Sequence, residues 1–265
     1  MYKQTNPPLS PKEILPTMYD LPSEAVEDSG LPDQYHLWQA DLLEKTFDPP
    51  DYPQDRVFTA TDLNLYYDLR HPHWYKRPDW FAVLGVDRLY EKRESRLSYV
   101  IWQEGVDPFI VVELLSPSTE KEDLGRTLRT IAQPPTKWEV YEKILRIPYY
   151  VVFNGYTNQL RLFQITGNSY QEIPLSYTKF WLAEIKLGLG LWSGEYQGLN
   201  RLWLRWYDQN DHWLPTPVEK EQQLIEQERQ RAKQERQRAN QLERENAQLK
   251  ELLRQSGLEI PDLNK

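Results

Sequence analysis

Phe109-Ile110-Val111-Val112-Glu113-Leu114-Leu115 runs directly into Ser116-Pro117-Ser118-Thr119. The nearly unbroken apolar stretch is the pattern of a central strand covered on both faces. Proline ends it, because proline cannot extend a central ladder. Glu113 is the anomaly in the run. A lone carboxylate in such surroundings is heavily penalised unless it is paired, hydrogen-bonded or bound to a cation.

Two further residues give that anomaly a chemical reading. Pro78-Asp79 opens another strand, Asp79 to Leu84. Asp79 and Glu113 on neighbouring strands would repel, and a divalent cation removes the repulsion. Lys137 lies at the start of a helical stretch beyond Glu113 and offers the positive charge that a phosphoryl transition state needs. The trio points to a magnesium-dependent nuclease, with Mg²⁺ or Mn²⁺ held by Asp79 and Glu113, and Lys137 acting on the attacking water or the phosphate. Read without a site, Asp79 is a turn residue, Glu113 half of a structural ion pair, and Lys137 an exposed residue. A cation in a first helical turn is mildly disfavoured, which tips Lys137 toward function.

Around this trio stand weaker candidates. Lys76 and Arg77 can approach phosphate or form a solvated rim, and Trp74 and Tyr75 can stack on a base or pack. Asp123 and Arg126 either pair with each other or reach the site. Tyr141, one helical turn after Lys137, can position it. A solvated face is the better reading of Glu120, Lys121 and Glu122.

Composition limits the alternatives. The 265 residues contain no cysteine and four histidines, which excludes disulfides, thiolate chemistry and cysteine zinc sites. With 39% hydrophobic residues, 10 Trp and 17 Tyr, the chain suits a globular body. No apolar run is long enough to span a bilayer, and the first twenty residues lack the apolar core of a signal peptide. A cytoplasmic protein is expected. The net charge of -8 opposes broad attraction to nucleic acid, but a local basic patch can coexist with an acidic whole.

The chain divides into an irregular arm over residues 1–35 with a short helix at Ser23 to Asp28, a body over 36–215, and a helix over 219–254. In the body the pattern gives a helix from His36 to Phe47, β-formers from Arg56 to Tyr67, and a strand from Ser98 to Gln103. Glu120 to Ile131 is a helix or an ordered loop. Thr136 caps a helix through Lys143, with Glu139 completing a capping box. Strands follow at Ile147 to Phe153 and Gln159 to Ile165, joined by a turn at Asn154-Gly155. Tyr177 to Leu191 adds terminal sheet elements, and Leu202 to Trp206 a last strand. The order implies a mixed α/β layer. In the tail Ile225, Ala232, Ala239, Asn246 and Leu253 recur every seven residues, with Leu242 and Leu249 at d. That register predicts pairing, a homodimer or a partner's helix, in which a lone Asn at a favours two strands. Glu228 and Glu235 at d predict fraying in the first half. Gly257 and Pro261 end the helix.

Pro78-Asp79, Val112-Glu113-Leu114-Leu115-Ser116-Pro117-Ser118-Thr119, Asp123, Lys137, Tyr141 and Ile147-Pro148-Tyr149-Tyr150-Val151-Val152 together resemble the restriction endonuclease domain family abundant in cyanobacteria, part of the PD-(D/E)xK nuclease superfamily. The resemblance covers about residues 30 to 205. It implies a restriction-endonuclease-like fold, a mixed α+β sheet flanked by helices, usually dimeric, acting on DNA, with RNA left open. It also implies Asp79 and Glu113 as the metal carboxylates. The superfamily lysine would fall at Leu115, and the resemblance instead places it at Lys137 on the following helix. Asn154 stands where many relatives carry an aspartate. Asp33, Asp41 and Glu44 are candidates for an additional acidic residue on an N-terminal helix. A competing expectation is a catalytically inactive scaffold that recruits partners through its tail. A non-enzymatic DNA-binding protein is the third, and it lacks a helix-turn-helix, a zinc module or a long basic run.

Overall fold

The computed structural model describes residues 33–116, 119–130, 132–175 and 177–256. The expected helix at Ser23 to Asp28, Pro117-Ser118 and the Gly257/Pro261 stop lie outside them. The chain separates into two units, one up to Leu214 and one from Pro215. In the first, α1 (Gln34–Thr46) precedes β1 (Val57–Thr61), β2 (Leu65–Tyr66), β3 (Tyr75–Lys76), β4 (Trp80–Leu84) and β5 (Tyr99–Val100). Next come α2 (Ile101–Glu104), β6 (Ile110–Leu114), α3 (Glu120–Asp123) and α4 (Lys137–Glu139), which widens into a π-turn over Val140–Ile144. Strands β7 (Tyr149–Asn154), β8 (Gln159–Thr166), β9 (Ser169–Ile173), β10 (Lys179–Leu182), β11 (Leu187–Tyr196) and β12 (Leu199–Tyr207) complete it. The second unit is α5 (Pro217–Gln255).

The main sheet has six strands in the order β1-β4-β6-β7-β8-β9. Every strand residue of β6 is buried, as the apolar run requires. All neighbours pair antiparallel except β6 and β7. Parallel neighbours need a long crossover, and here the crossover carries α3 and α4 over one face of the sheet. The result is the mixed α+β arrangement of a restriction-endonuclease-like fold.

Side-chain alternation along the strands gives two cores. On one face Trp80, Ile110, Val112, Leu114, Val151 and Phe153 pack against Leu42 and Leu43 of α1 and against Leu187, Leu189, Trp203 and Trp206. That layer is therefore partly a second, three-stranded sheet, β10-β11-β12, and not helices alone. On the other face Phe81, Val111, Tyr150, Val152 and Phe163 meet Val140, Tyr141 and Leu145, together with Leu65 and Tyr99 of a small sheet, β3-β2-β5. Glu113 alternates with Val112 and Leu114, so it points into this second core.

Several local expectations change. The β-rich run from Arg56 to Tyr67 breaks at Asp62, whose φ of 53° is left-handed, so it forms two strands in two sheets. Ser98 to Gln103 yields only β5 before the chain coils into α2, which Gly105 ends at a φ of 72°. In the Asn154-Gly155 turn the left-handed residue is Asn158, with a φ of 58°. Asn154 Oδ1 accepts from the amides of Tyr156 and Thr157 at 3.0 Å. Gly155 is required for another reason: a Cβ there would strike the Tyr35 ring. The Thr136 capping box forms as expected, Thr136 N donating to Glu139 Oε2 at 3.0 Å. The tail helix starts at a second box, Thr216 with Glu219, and Pro217 in its first turn. Among the described residues no helix is long and apolar enough to cross a membrane.

Strand β11 packs so closely that a Cβ on Gly188 would enter the Tyr207 ring, whose hydroxyl donates to Phe180 O at 3.0 Å. Gly188→Ala should therefore destabilise the body by about 1–3 kcal/mol through overpacking, read as a lower denaturant midpoint at unchanged m-value.

Candidate functional site: a buried carboxylate–lysine cluster

In the antiparallel register Trp80 faces Val112, so the next pair outward is Asp79 and Glu113, on one face of the sheet. Pro78 has no N–H to continue the ladder, and side chains take over there. Asp79 N donates to Glu113 Oε2 at 3.3 Å, and Leu114 N donates to Asp79 Oδ2 at 2.6 Å. The two carboxylates are thereby fixed side by side.

The crossover supplies the rest. Lys137 Nζ donates to Glu113 Oε2 at 2.8 Å and lies 3.2 Å from Asp123 Oδ1. Tyr141 donates its hydroxyl to Glu113 Oε1 at 2.9 Å. One helical turn apart, Lys137 and Tyr141 thus hold the two oxygens of a single carboxylate. The π-turn that follows, with Leu145 N bonded to Val140 O at 2.9 Å, sets Val140 and Tyr141 into the core; such bulges are frequent at functional sites. Tyr150 on β7 donates to Asp123 O at 2.9 Å, tying α3 to the sheet.

Five sequence candidates therefore converge: Asp79, Glu113, Asp123, Lys137 and Tyr141. The basic candidates sit elsewhere in the hydrogen-bond pattern. Lys76 is buried and pairs with Glu122 at 3.0 Å, Arg77 pairs with Asp62 at 2.5 Å, and Arg126 is exposed, 3.7 Å from Glu120. Asp123 is paired with Lys137 rather than with Arg126. Glu122 is not the solvated residue that its sequence suggests. Its carboxylate accepts from Lys76, from Arg129 at 2.7 Å and from the Lys137 amide at 3.2 Å, so it anchors the start of α4. Of the acidic residues near α1, Asp33 caps the helix through His36 N at 3.0 Å, Asp41 bonds Lys45 and Tyr196, and Glu44 accepts from Trp80 Nε1 at 3.4 Å. His36, fully buried, also reaches the Leu115 carbonyl at 3.4 Å; a lone histidine in an amphipathic helix gives no sign of that contact.

A family model described as Uma2, putative restriction endonuclease, matches residues 16–194. The chain belongs to that family. The match spans all five clustered residues and stops inside β11, short of α5. No curated protein matches the chain.

The cluster is strongly perturbed electrostatically. Burial, reinforced by Asp123, pushes the Asp79 carboxyl up to about 6 against the pull of Lys137. Burial, with Asp79 and Asp123 adding to it, drives Glu113 well above the carboxylate range against the pull of Lys137. Burial alone would lower the Lys137 ammonium, but Asp123, Glu113 and Asp79 hold it well above its usual value. Three carboxylates thus face one ammonium. Neither Asp123 oxygen has a hydrogen bond. Among the described residues no three acidic or histidine side chains form a ready-made ligand group, yet the surplus negative charge and the hard oxygen donors of Asp79, Glu113 and Asp123 fit a divalent cation.

The direction of these shifts fixes a pH dependence. A carboxyl raised from 3.8 to about 6 on folding holds its proton more tightly in the native state. Its contribution is therefore most favourable below pH 4 and is lost as pH rises toward 6. The metal-free protein should lose stability across that window, and Asp79→Asn should flatten the loss. Thermal melts in EDTA from pH 4 to 7 measure it, and a wild-type profile as flat as the variant's refutes it.

Proposed function

We propose that the chain is a metal-dependent nuclease that hydrolyses phosphodiester bonds, principally of DNA, using Mg²⁺ or Mn²⁺. The observation that supports this most is the Lys137 ammonium lodged between Glu113 and Asp123, inside a buried cluster whose acids outnumber its cations. A structural ion pair needs one carboxylate per lysine, and two surplus buried carboxylates are a standing cost that binding a cation removes. Once bound, the metal would lower the pKa of a coordinated water and stabilise charge on the scissile phosphate.

The protein's own residues then have separable tasks. Asp79, Glu113 and Asp123 supply the anionic oxygens. Tyr141 keeps Glu113 in one orientation by donating to Oε1. Lys137 balances the charge of the carboxylates and would offset negative charge that grows on a bound phosphate. Glu122, by accepting from the Lys137 amide, fixes the turn that presents the ammonium.

Cleavage of supercoiled plasmid, single-stranded DNA and RNA in Mg²⁺ and Mn²⁺ tests the reading. Glu113→Gln, which keeps the shape and removes the charge, should lower the rate by at least 100-fold and weaken Mn²⁺ binding in calorimetry. Lys137→Ala should lower kcat, and because its side chain is only 11% exposed it should also destabilise the metal-free protein by about 3–5 kcal/mol. A wild-type protein that binds Mn²⁺ but cleaves none of the three substrates returns the chain to a scaffold role.

We infer as well that α5 pairs with a second copy. No residue of the helix is buried, and the a and d leucines Leu242, Leu249 and Leu253 are all exposed in one chain, an apolar seam in want of a partner. Deleting residues 217–265 should leave the body folded and shift its mass in light scattering from dimer to monomer; an unchanged mass removes the helix as the pairing element.

A further inference from the structure

Helix α5 changes character at Ala239. Within Arg229–Arg238 there are five cations, Arg229, Arg231, Lys233, Arg236 and Arg238, against the single acid Glu235. All five are exposed, and among the described residues none makes an ion pair. Arg229 and Lys233 are four residues apart and Lys233 and Arg236 three, so like charges adjoin on one face, an arrangement that destabilises an isolated helix. An acidic chain carries its densest positive charge here.

The heptad register explains why this half is free. With Ile225 at a, Glu228 and Glu235 occupy d, where an apolar residue is wanted. Arg231 at g would face Arg236 at e of a second copy. Pairing is disfavoured there on both counts. In the second half Leu242 and Leu249 occupy d, Asn246 and Leu253 occupy a, and Glu245 at g would meet Lys250 at e of a second copy, an attractive contact. One half of the helix is written for pairing and the other half for displaying positive charge.

We propose that Arg229–Arg238 is a sequence-independent binding arm for the phosphate backbone of duplex DNA, held as a pair by the Ala239–Leu253 half. Charge complementarity identifies the occupant. A membrane-surface helix needs large apolar residues beside its cations, and a protein interface needs an aromatic or aliphatic anchor. Between Arg229 and Arg238 the only apolar side chain is Ala232. Arg229, Lys233 and Arg236 instead line about 10 Å of one helix face, a row of point charges suited to consecutive phosphates. The arm gives a net-acidic nuclease a means of gaining its substrate, so the inference builds on the proposed function, but its measurement does not depend on it.

The test is binding of the full chain to a labelled DNA duplex in EDTA, where metal-dependent cleavage is silent, across a salt titration. Replacing Arg229, Lys233 and Arg236 together by glutamine should lower affinity at least tenfold at low salt and reduce the slope of log K against log salt by about 2 to 3, near 0.9 for each phosphate no longer neutralised. The same three positions occupied by Arg229→Lys, Lys233→Arg and Arg236→Lys should retain the wild-type slope, and circular dichroism should report equal helix in both variants. Glutamine variants with wild-type affinity and slope overturn the proposal. So does tighter binding to duplex RNA than to duplex DNA, or binding to phosphatidylserine vesicles in the absence of DNA binding. Failure of cleavage with an intact salt slope would count against the nuclease reading alone.

Discussion

The burial of Glu113 organises this protein. A fully buried carboxylate in the middle strand of a six-stranded sheet cannot be tolerated without partners, and each partner comes from a different part of the chain. Asp79 donates its backbone amide from the neighbouring strand, Lys137 its ammonium and Tyr141 its hydroxyl from the crossover. The crossover exists because β6 and β7 run parallel. Sheet topology and site chemistry are therefore one constraint. An antiparallel β6–β7 hairpin would have satisfied the ladder but left Glu113 without its cation.

The same constraint explains the lysine's unusual place. Position 115, where the resemblance noted in the sequence would set a lysine, is Leu115, buried in the second core with its amide bonded to Phe153 O at 2.8 Å. Counting along the strand, residues 113 and 115 share a face, so a lysine there would also lie beside Glu113. In this chain that volume is apolar and the charge arrives from α4. Anchoring then becomes the difficulty, because a lysine on a short helix is only as fixed as the helix start. Two groups fix it. The Thr136–Glu139 capping box sets the first turn, and Glu122 receives the Lys137 amide.

Much of this was legible in residue order. The apolar run with one acid announced a central strand, the Thr136/Glu139 spacing located the helix start, and Pro78-Asp79 marked the opening of a neighbouring strand. The parts that stayed hidden have a common cause: they depend on contacts distant in sequence. Glu122 sits in Glu120-Lys121-Glu122, a string that reads as solvated, and only its contacts with Lys76, Arg129 and the Lys137 amide reveal that it is an anchor. The β10–β12 layer looked like terminal strands, since nothing local shows that Trp206 closes over Trp80 and Phe47 while Trp203 packs on Tyr35. The π-turn likewise leaves no trace in periodicity, because one extra residue in a turn shifts the apolar stripe by less than short helices normally scatter.

Charge is distributed in this chain so that opposite signs do opposite work. The carboxylates that make the body acidic include the three converging at Lys137, so the cluster is locally negative. The same negativity repels a polyanionic substrate, which is attracted over roughly a Debye length, about 8–10 Å at moderate ionic strength. Cations within the body are already engaged by its acids: Lys76 and Arg129 are drawn into Glu122, and Arg77 into Asp62. In α5 Arg229, Arg231, Lys233, Arg236 and Arg238 are exposed, and among the described residues none of them forms an ion pair. On the proposed reading, capture and hydrolysis would be tuned independently, because a change in the arm's charge would alter salt dependence while leaving the Glu113–Lys137 geometry untouched.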